Sequence, residues 1–362
     1  MHSRRMAGAR LMDERLPWHQ PLWQQFQQRR NADRMPHALL LAGPAGLGKG
    51  LFARRLARAL LCAAPISEGE ACGHCRSCRL FQAGTHPDYA MVQSEEDKRL
   101  GESDPLAGDI GETGGKKKKS TVIKIEQIRD LCAFLSYTPQ YGGYKIALLE
   151  PADRLNLNAA NSLLKTLEEP PGKSLLLLVT AQPARLPATV RSRCQRIRFE
   201  RPATDVAVAW LAAHIAQLKG DIQPEALLNS AGGAPLTALT YADGERWRRR
   251  RELVECYDQV LAGQADPVRA AEDWMQGDLA ENLRWLIGWH TDLIRLKMNS
   301  DPPRLSNPDL RSVLWRWADR QAPRTLFERL DAAVRLYTLC ATTQVNAQWL
   351  LEVFLSDGAD GR

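Results

Sequence analysis

The chain has 362 residues, of which 44% are hydrophobic and 25% are charged. This composition is typical of a globular protein, and the length predicts two or three domains. The apolar runs are far shorter than the ~20 residues that a membrane span needs, and the basic N-terminal residues lack the apolar stretch of a signal peptide. We therefore expect a cytoplasmic protein. The net charge of +7 fits an anionic partner such as nucleic acid, and it fits a solvated basic surface equally well.

The first half of the chain alternates between strand and helix patterns. An apolar run at 38–43 leads into the glycine-rich turn GPAGLGKG (43–50), and apolar residues at helical spacing follow the turn. Hydrophobic patterning predicts further strands and helices: strands at 89–92, 144–149, 175–180 and 196–199, and helices at 125–135 and 157–167. Between them, the polar stretch 94–120 is typical of a flexible surface insertion. The alternation predicts an α/β fold, a parallel sheet with helices on both faces.

The strand pattern ends near Pro202, and the remainder of the chain is predicted to be helical. Eight of the ten tryptophans lie in this part: Trp210, Trp247, Trp274, Trp285, Trp289, Trp315, Trp317 and Trp349. A base-stacking role is open to tryptophan, but stacking platforms usually lie on sheets or in grooves. We therefore expect these side chains to pack between helices.

The turn at 43–50 has most of the residues that characterise a nucleotide-binding loop. In such a loop, glycines let backbone N–H groups surround the phosphates, a lysine contacts the terminal phosphates, and a following Ser or Thr hydroxyl binds Mg²⁺. The candidate phosphate-binding residues are Gly43, Gly46, Gly48 and Lys49. Gly50 stands where the hydroxyl residue belongs, so the magnesium function is predicted to be lost. A tight turn kept for packing alone is the alternative.

A second position of the same site is also altered. ATPases of this type hold Mg²⁺ with an acid at the end of a neighbouring strand, and many place a second acid beside it. Here the strand at 144–149 is followed by Glu150 and Pro151, so proline occupies the place of the second acid. Two separate losses predict that this chain does not hydrolyse ATP. Because Lys49 is retained, nucleotide binding without turnover stays open.

Four cysteines lie close together in the sequence: Cys62, Cys72, Cys75 and Cys78. Two-residue spacings let consecutive thiolates converge on one tetrahedral ion, and four thiolates leave no open position, so we expect a structural zinc site. The alternatives are four unrelated reduced thiols, or an iron–sulfur cluster, whose common motif differs from the sequence after Cys78. His74 and His86 are possible substitutes for Cys62. The scattered Cys132, Cys194, Cys256 and Cys340 are expected to be ordinary, partly buried cysteines.

Several motifs together resemble one known family. They are NAANSLLKTLEEPP (158–171), the tripeptide SRC (192–194), the cysteine cluster behind the glycine-rich turn, and AGTHPDY (83–89). These motifs closely resemble subunits of the bacterial DNA polymerase III clamp loader, an AAA+ family. The combination of an intact cysteine module with altered nucleotide motifs is similar to its delta-prime subunits. By motif the resemblance covers most of 12–240, and the last third agrees in helical character and in its ending, NAQWLLEVFL.

The resemblance implies a domain organisation and a set of partners. It implies an AAA+ module at 1–201 with a zinc-binding insertion at 62–78, a small helical lid at 202–243 and a helical collar at 244–362. Such subunits occupy one position in an open ring of five, in which ATP lies between neighbours. The implied partners are the ATP-hydrolysing gamma/tau subunits, the delta subunit, primer–template DNA and, indirectly, the sliding clamp (beta).

The SRC match makes Arg193 an arginine finger that this chain offers to the ATP site of a neighbouring subunit. Such a finger stabilises charge that develops on the transferring phosphoryl group. The alternative is that Arg193 belongs to a solvated basic group with Arg191, Arg196 and Arg198. Leu236 is a third departure from an ATP-hydrolysing site, after Gly50 and Pro151. By the resemblance, it stands where hydrolysing relatives place a phosphate-sensing arginine.

The sequence thus predicts a clamp-loader subunit of the DNA polymerase III holoenzyme that does not hydrolyse ATP itself. Two other classes stay open: an autonomous AAA+ ATPase, and a zinc-dependent DNA-binding protein. Whether the lysine run at 116–119 contacts DNA or only solvates a loop is not decided by the sequence.

Overall fold

A computed structural model describes most of the chain. The described residues are 15–94, 122–141, 143–215, 223–242, 244–299, 301–302, 305–342 and 345–360. The chain divides into two compact units, Met1–Arg201 and Pro202–Arg362. Apart from Ser94, the predicted flexible insertion at 94–120, with its lysine run, lies outside the described residues.

The first unit contains one sheet of five parallel strands. The strands are β1 (Ala38–Ala42), β2 (Tyr89–Val92), β3 (Lys145–Leu149), β4 (Ser174–Thr180) and β5 (Gln195–Arg198), in the order β2-β3-β4-β1-β5. Every neighbouring pair is parallel. The predicted parallel sheet is therefore confirmed, with ends that differ from the predicted ones by at most one residue.

Helices cover both faces of this sheet. They are α1 (Gln20–Asn31), α2 (Lys49–Leu61), α3 (Arg76–Gln82), α4 (Ile125–Ser136), α5 (Leu157–Glu168) and the short α6 (Ala188–Arg191). Strands β1, β3 and β4 are buried at every residue, as expected where helices cover both faces. On one face, α4, α5 and α6 close over an apolar cluster that includes Leu40, Leu163 and Leu178. Helices α1 and α3 and the short α6 were not predicted.

The carboxyl edge of the sheet brings separated segments together, because all strands point the same way. The glycine-rich turn follows β1, Glu150 follows β3, and Thr180 ends β4. Ligands of open parallel sheets bind at this edge. The candidate nucleotide site therefore lies where this fold class places one.

The second unit is helical throughout its described part, as predicted. Its helices are α7 (Thr204–Ile215), α8 (Pro224–Ser230), α9 (Pro235–Tyr241), α10 (Glu245–Leu261), α11 (Pro267–Trp274), α12 (Leu279–Met298), α13 (Arg311–Asp319), α14 (Pro323–Thr342) and α15 (Ala347–Asp360). Leu236 lies half-buried on α9. None of the helices described in either unit is both long enough and apolar enough to span a membrane.

Seven of the eight tryptophans of the second unit divide into two groups, and the eighth, Trp247, is half-buried. Five are buried as predicted: Trp210, Trp274, Trp285, Trp289 and Trp317. The prediction is wrong for Trp315 and Trp349, which are 43% and 60% exposed. Helical geometry explains Trp315, because it lies two residues from the buried Trp317 and so points to the other side of α13.

Candidate functional site

The glycine-rich turn between β1 and α2 is held by contacts within its own unit. Gly46 and Gly48 have φ angles of 74° and 79°, a region that favours glycine. The carbonyl oxygen of Leu47 accepts a hydrogen bond from the Trp18 indole at 3.0 Å, and the His19 Nε2 atom lies 2.7 Å from the same oxygen. The turn thus depends on two glycines at positive φ and is fixed from outside by the segment before α1.

Lys49 is the first residue of α2, and its side chain folds back onto the turn. Its Nζ atom donates a hydrogen bond to the carbonyl oxygen of Pro44 at 2.6 Å. Burial lowers the pKa of Lys49 to about 8, against the opposing effect of the Glu150 and Asp153 carboxylates. The ammonium is therefore mostly charged at pH 7, and one of its three donors is already used by the loop itself.

The position of the missing hydroxyl is occupied by a carboxylate. A Cβ added at Gly50 would overlap the carboxylate of Glu150. That carboxylate also pairs with the Arg54 guanidinium, with 3.0 Å between Nη1 and Oε2. Arg54 follows Gly50 by one helical turn, so both residues lie on the same face of α2. The Glu150 carboxylate, which the sequence analysis compared with a magnesium-binding acid, thus has a counter-charge within its own chain.

The other acid near the strand ends is bound as well. Asp153 accepts hydrogen bonds from the hydroxyl of Thr180 and, at 3.3 Å, from the backbone N–H of Ala181. These contacts link the segment after β3 to the end of β4. Neither Glu150 nor Asp153 therefore presents a carboxylate without a partner to a metal ion.

The four clustered cysteines converge as predicted. Their sulfur atoms all lie within 4.8 Å of one another, with 3.9 Å between Cys62 and Cys75 and 4.0 Å between Cys72 and Cys78. Four sulfurs bound to one zinc ion at about 2.3 Å in a tetrahedron are about 3.8 Å apart. Backbone N–H groups of His74 and Cys75 lower the pKa of the Cys72 thiol. Burial raises the pKa of the Cys62 and Cys78 thiols, so it is the sulfur geometry, and not the acidity of the thiols, that favours a metal ion. The four cysteines therefore fit a metal ion.

The two nearby histidines have other partners. The Nδ1 atom of His74 lies 2.9 Å from the carbonyl oxygen of Cys72, and the Nε2 atom of His86 lies 2.8 Å from the hydroxyl of Ser77. Because Nδ1 of His86 accepts a hydrogen bond from Asp88 N, the proton of the neutral ring is on Nε2 and points at Ser77. Both ring nitrogens of His86 therefore have partners other than the sulfurs. His86 supports the cysteine module through its hydrogen bond with Ser77.

Arg193 lies in the turn between α6 and β5, at the edge strand of the sheet. Its Nη2 atom is 2.5 Å from Oε1 of Glu168, and its Nη1 atom donates to the carbonyl oxygen of Thr189 at 3.0 Å. The side chain is 35% exposed, whereas the neighbouring Arg191, Arg196 and Arg198 are more fully exposed. Arg193 therefore differs from these basic residues in its partial burial and in its ion pair with Glu168.

Among the site residues that the sequence analysis missed, Arg54 and Glu168 differ in whether the sequence contains a signal for them. Arg54 had a usable signal, because a basic residue one turn after Gly50 must lie on the same helix face. Glu168 had none, because only the folded chain brings the end of α5 beside Arg193.

Comparison with known proteins identifies the family. A family model described as DNA polymerase III, delta subunit, matches residues 18–203, and one described as its C-terminal part matches 244–358. The DNA polymerase III subunit delta' of Pseudomonas aeruginosa is 36% identical over 316 residues, which cover 87% of this chain and 88% of that protein. The chain belongs to the delta-prime family of bacterial DNA polymerase III. The delta' subunit of Escherichia coli is 30% identical over 337 residues, 92% of each chain.

Membership of the delta-prime family agrees with the fold of the first unit. A parallel five-stranded sheet with helices on both faces and a glycine-rich turn after β1 confirms the AAA+ fold class expected from the sequence. A more distant relative is the tau subunit of Escherichia coli DNA polymerase III, which is 33% identical over 173 residues. That match covers 48% of this chain and 23% of the tau protein.

The contact between position 50 and Glu150 predicts a measurable energetic coupling. Glycine to alanine in a helix normally stabilises by about 1 kcal/mol. In Gly50→Ala the added methyl group displaces the Glu150 carboxylate from Arg54, which offsets that gain. In a Glu150→Ala background the gain returns, so we expect a coupling energy of about 0.5–3 kcal/mol between the two substitutions.

Hydrogen exchange of the β1 and β3 amides measures this coupling within the first unit. Glu126→Ala, at an exposed position of α4, is the matched control and should leave the effect of Gly50→Ala unchanged. Additive effects of Gly50→Ala and Glu150→Ala, within about 0.3 kcal/mol, would contradict the described contact.

Proposed function

We propose that this chain is a clamp-loader subunit that does not hydrolyse ATP and that completes the ATP site of a neighbouring subunit. The ion pair between Glu150 and Arg54 is the observation that carries the first part of this proposal. It supplies an internal cation at the acid that would hold Mg²⁺, and the glycine at position 50 leaves room for that acid. Pro151 and Leu236 add two further departures from a hydrolysing site.

Arg193 is the residue through which this chain acts on ATP. A guanidinium that reaches the transferring phosphoryl group of a neighbour stabilises charge in the transition state, and a finger supplied in trans raises the rate by about 10³–10⁵. The partial exposure and fixed orientation of Arg193 support this role. Its position in an SRC tripeptide, in a chain of the delta-prime family, supports it independently.

The proposed assembly contains ATP-hydrolysing gamma/tau subunits and a delta subunit, and it loads the sliding clamp at primer–template junctions in the cytoplasm. Residues 202–243 serve as the lid, and residues 244–362 serve as the collar that joins neighbouring subunits. Exposed apolar side chains of the second unit support such packing, among them Phe327, Val334, Trp349 and Val353. The match of residues 244–358 to a DNA polymerase III family model also supports it.

Zinc has a structural role in this proposal. Cys62, Cys72, Cys75 and Cys78 would hold the ion, and a site of four thiolates leaves no position for a substrate. The ion would fix the segment between α2 and α3, whose sulfur geometry already matches tetrahedral coordination.

The finger assignment is tested by Arg193→Ala in the reconstituted loader. We expect DNA-stimulated ATP hydrolysis to fall by the share that the neighbour's site contributes, because that site loses its stabilising charge. Arg191→Ala, at an exposed position two residues away, is the matched control and should retain the full rate. An unchanged rate for Arg193→Ala in an intact complex would exclude the assignment.

The absence of hydrolysis is tested on the purified chain with ATP and Mg²⁺. We expect no turnover above background, because the metal-binding acid is paired with Arg54. Lys49→Ala identifies any contaminating activity. Turnover that disappears in Lys49→Ala would establish the chain as an autonomous ATPase and overturn the proposal.

The metal is tested by elemental analysis of the purified chain. We expect about one zinc per chain, because one set of four thiolates binds one ion. Cys75→Ser should lower the zinc content, and Cys132→Ser, which lies outside the cluster, should leave it unchanged. A folded chain without metal would contradict the zinc assignment.

A further inference from the structure

The Arg193 guanidinium is bound at two points to its own chain. Nη2 pairs with Oε1 of Glu168, the last residue of α5, and Nη1 donates to the Thr189 carbonyl on α6. Glu168 belongs to the stretch 158–171 that marks the family resemblance, and no function described above uses it. The ion pair connects that stretch to the SRC tripeptide.

The backbones beneath this pair rest on one apolar core. Leu167, next to Glu168, is 3% exposed, and Val190 and Cys194, on either side of Arg193, are 0% and 9% exposed. All three belong to the cluster that α4, α5 and α6 form over the sheet. Because buried neighbours fix both backbones, the carboxylate and the guanidinium emerge at fixed points of the same surface.

The contacts leave the guanidinium available to a phosphate. Arginine has five N–H donors in a planar fork, and the two contacts engage one hydrogen on each terminal nitrogen. Three donors therefore remain, Nε–H among them. The ion pair thus orients the guanidinium and leaves donors free for a ligand. A long side chain that is already ordered also loses less rotational freedom when it binds a ligand.

We propose that Glu168 is a positioning residue, which holds the Arg193 guanidinium in the orientation that meets the phosphates of a neighbour's ATP. This inference rests on the proposed role of Arg193 as a finger in trans. Glu168 acts only through Arg193 and does not itself contact the nucleotide.

The size of the effect follows from the exposure of the pair. Side chains that are 35% and 50% exposed form a solvent-screened ion pair, whose loss changes an equilibrium by about two- to fivefold. At the neighbour's site, Glu168→Ala should lower the hydrolysis rate by this factor. Arg193→Ala removes a certain part of the hydrolysis rate of the assembled loader. Glu168→Ala should remove about half to four-fifths of that same part.

The experiment compares five variants of this chain in the reconstituted loader, after size-exclusion chromatography has shown intact assembly: Arg193→Ala, Glu168→Ala, Glu168→Gln, Glu169→Gln and the double variant Glu168→Ala/Arg193→Ala. DNA-stimulated hydrolysis is measured over a range of ATP concentrations. Glu169 is an exposed carboxylate beside Glu168 and serves as the matched control for net charge. The glutamine at position 168 keeps an oxygen that accepts the hydrogen bond.

The positioning role predicts four results. Glu168→Ala lowers kcat and leaves KM for ATP within about twofold, because a finger acts mainly in the transition state. Glu168→Gln regains at least part of the lost rate, since a neutral acceptor keeps a weaker hydrogen bond. Glu169→Gln has the rate of the unmodified chain. Glu168→Ala causes no further loss in the Arg193→Ala background.

Other results overturn the inference and separate it from the proposed function. If Arg193→Ala lowers the rate while Glu168→Ala has no effect, Glu168 does not position the finger and the proposed function stands. A higher rate for Glu168→Ala would show that the carboxylate holds the finger away from ATP. A further loss in the double variant would show that Glu168 acts independently of Arg193. If Arg193→Ala itself has no effect, the proposed function and this inference both fail.

Discussion

The burial of three neighbouring strands on both faces is the constraint on which the first unit depends. Strands β1, β3 and β4 have no exposed residue, so each is largely apolar, and each is followed by a helix that returns over the sheet. Because all three point the same way, their carboxyl ends meet at one edge. The glycine-rich turn, Glu150 and Thr180 are neighbours for this reason alone.

At that edge, the Glu150 carboxylate forms an ion pair with Arg54. A carboxylate near a phosphate-binding loop needs a counter-charge, and a divalent cation normally supplies it. Here Arg54 supplies it, and the absence of a side chain at position 50 gives the carboxylate room. The nearby Lys49 is buried, and its ammonium donates a hydrogen bond to its own turn.

Sequence patterns predicted the strands, the main helices and the cysteine cluster, because each depends on local spacing. The periodicity of apolar residues was enough to predict the strands and helices. The short spacing of the cysteines was enough to predict that their sulfurs converge. Contacts between residues far apart in the sequence could not be predicted in this way. The pairing of Glu168 with Arg193 depends on where α5 ends relative to α6, which no local pattern encodes. Exposed tryptophans such as Trp349 were misjudged because amino-acid type alone does not say which helix face is covered.

The link between Ser77 and His86 has a consequence for how the cysteine module would bind the proposed zinc ion. Ser77 lies between Cys75 and Cys78, and its hydroxyl donates to the carbonyl of Leu61, the residue before Cys62. The buried His86 ring, whose pKa is lowered by burial, donates to the same hydroxyl as a neutral group. These bonds hold the two halves of the thiol cluster together without using a sulfur. The module is thus preorganised, so less conformational entropy would be lost on binding the proposed ion.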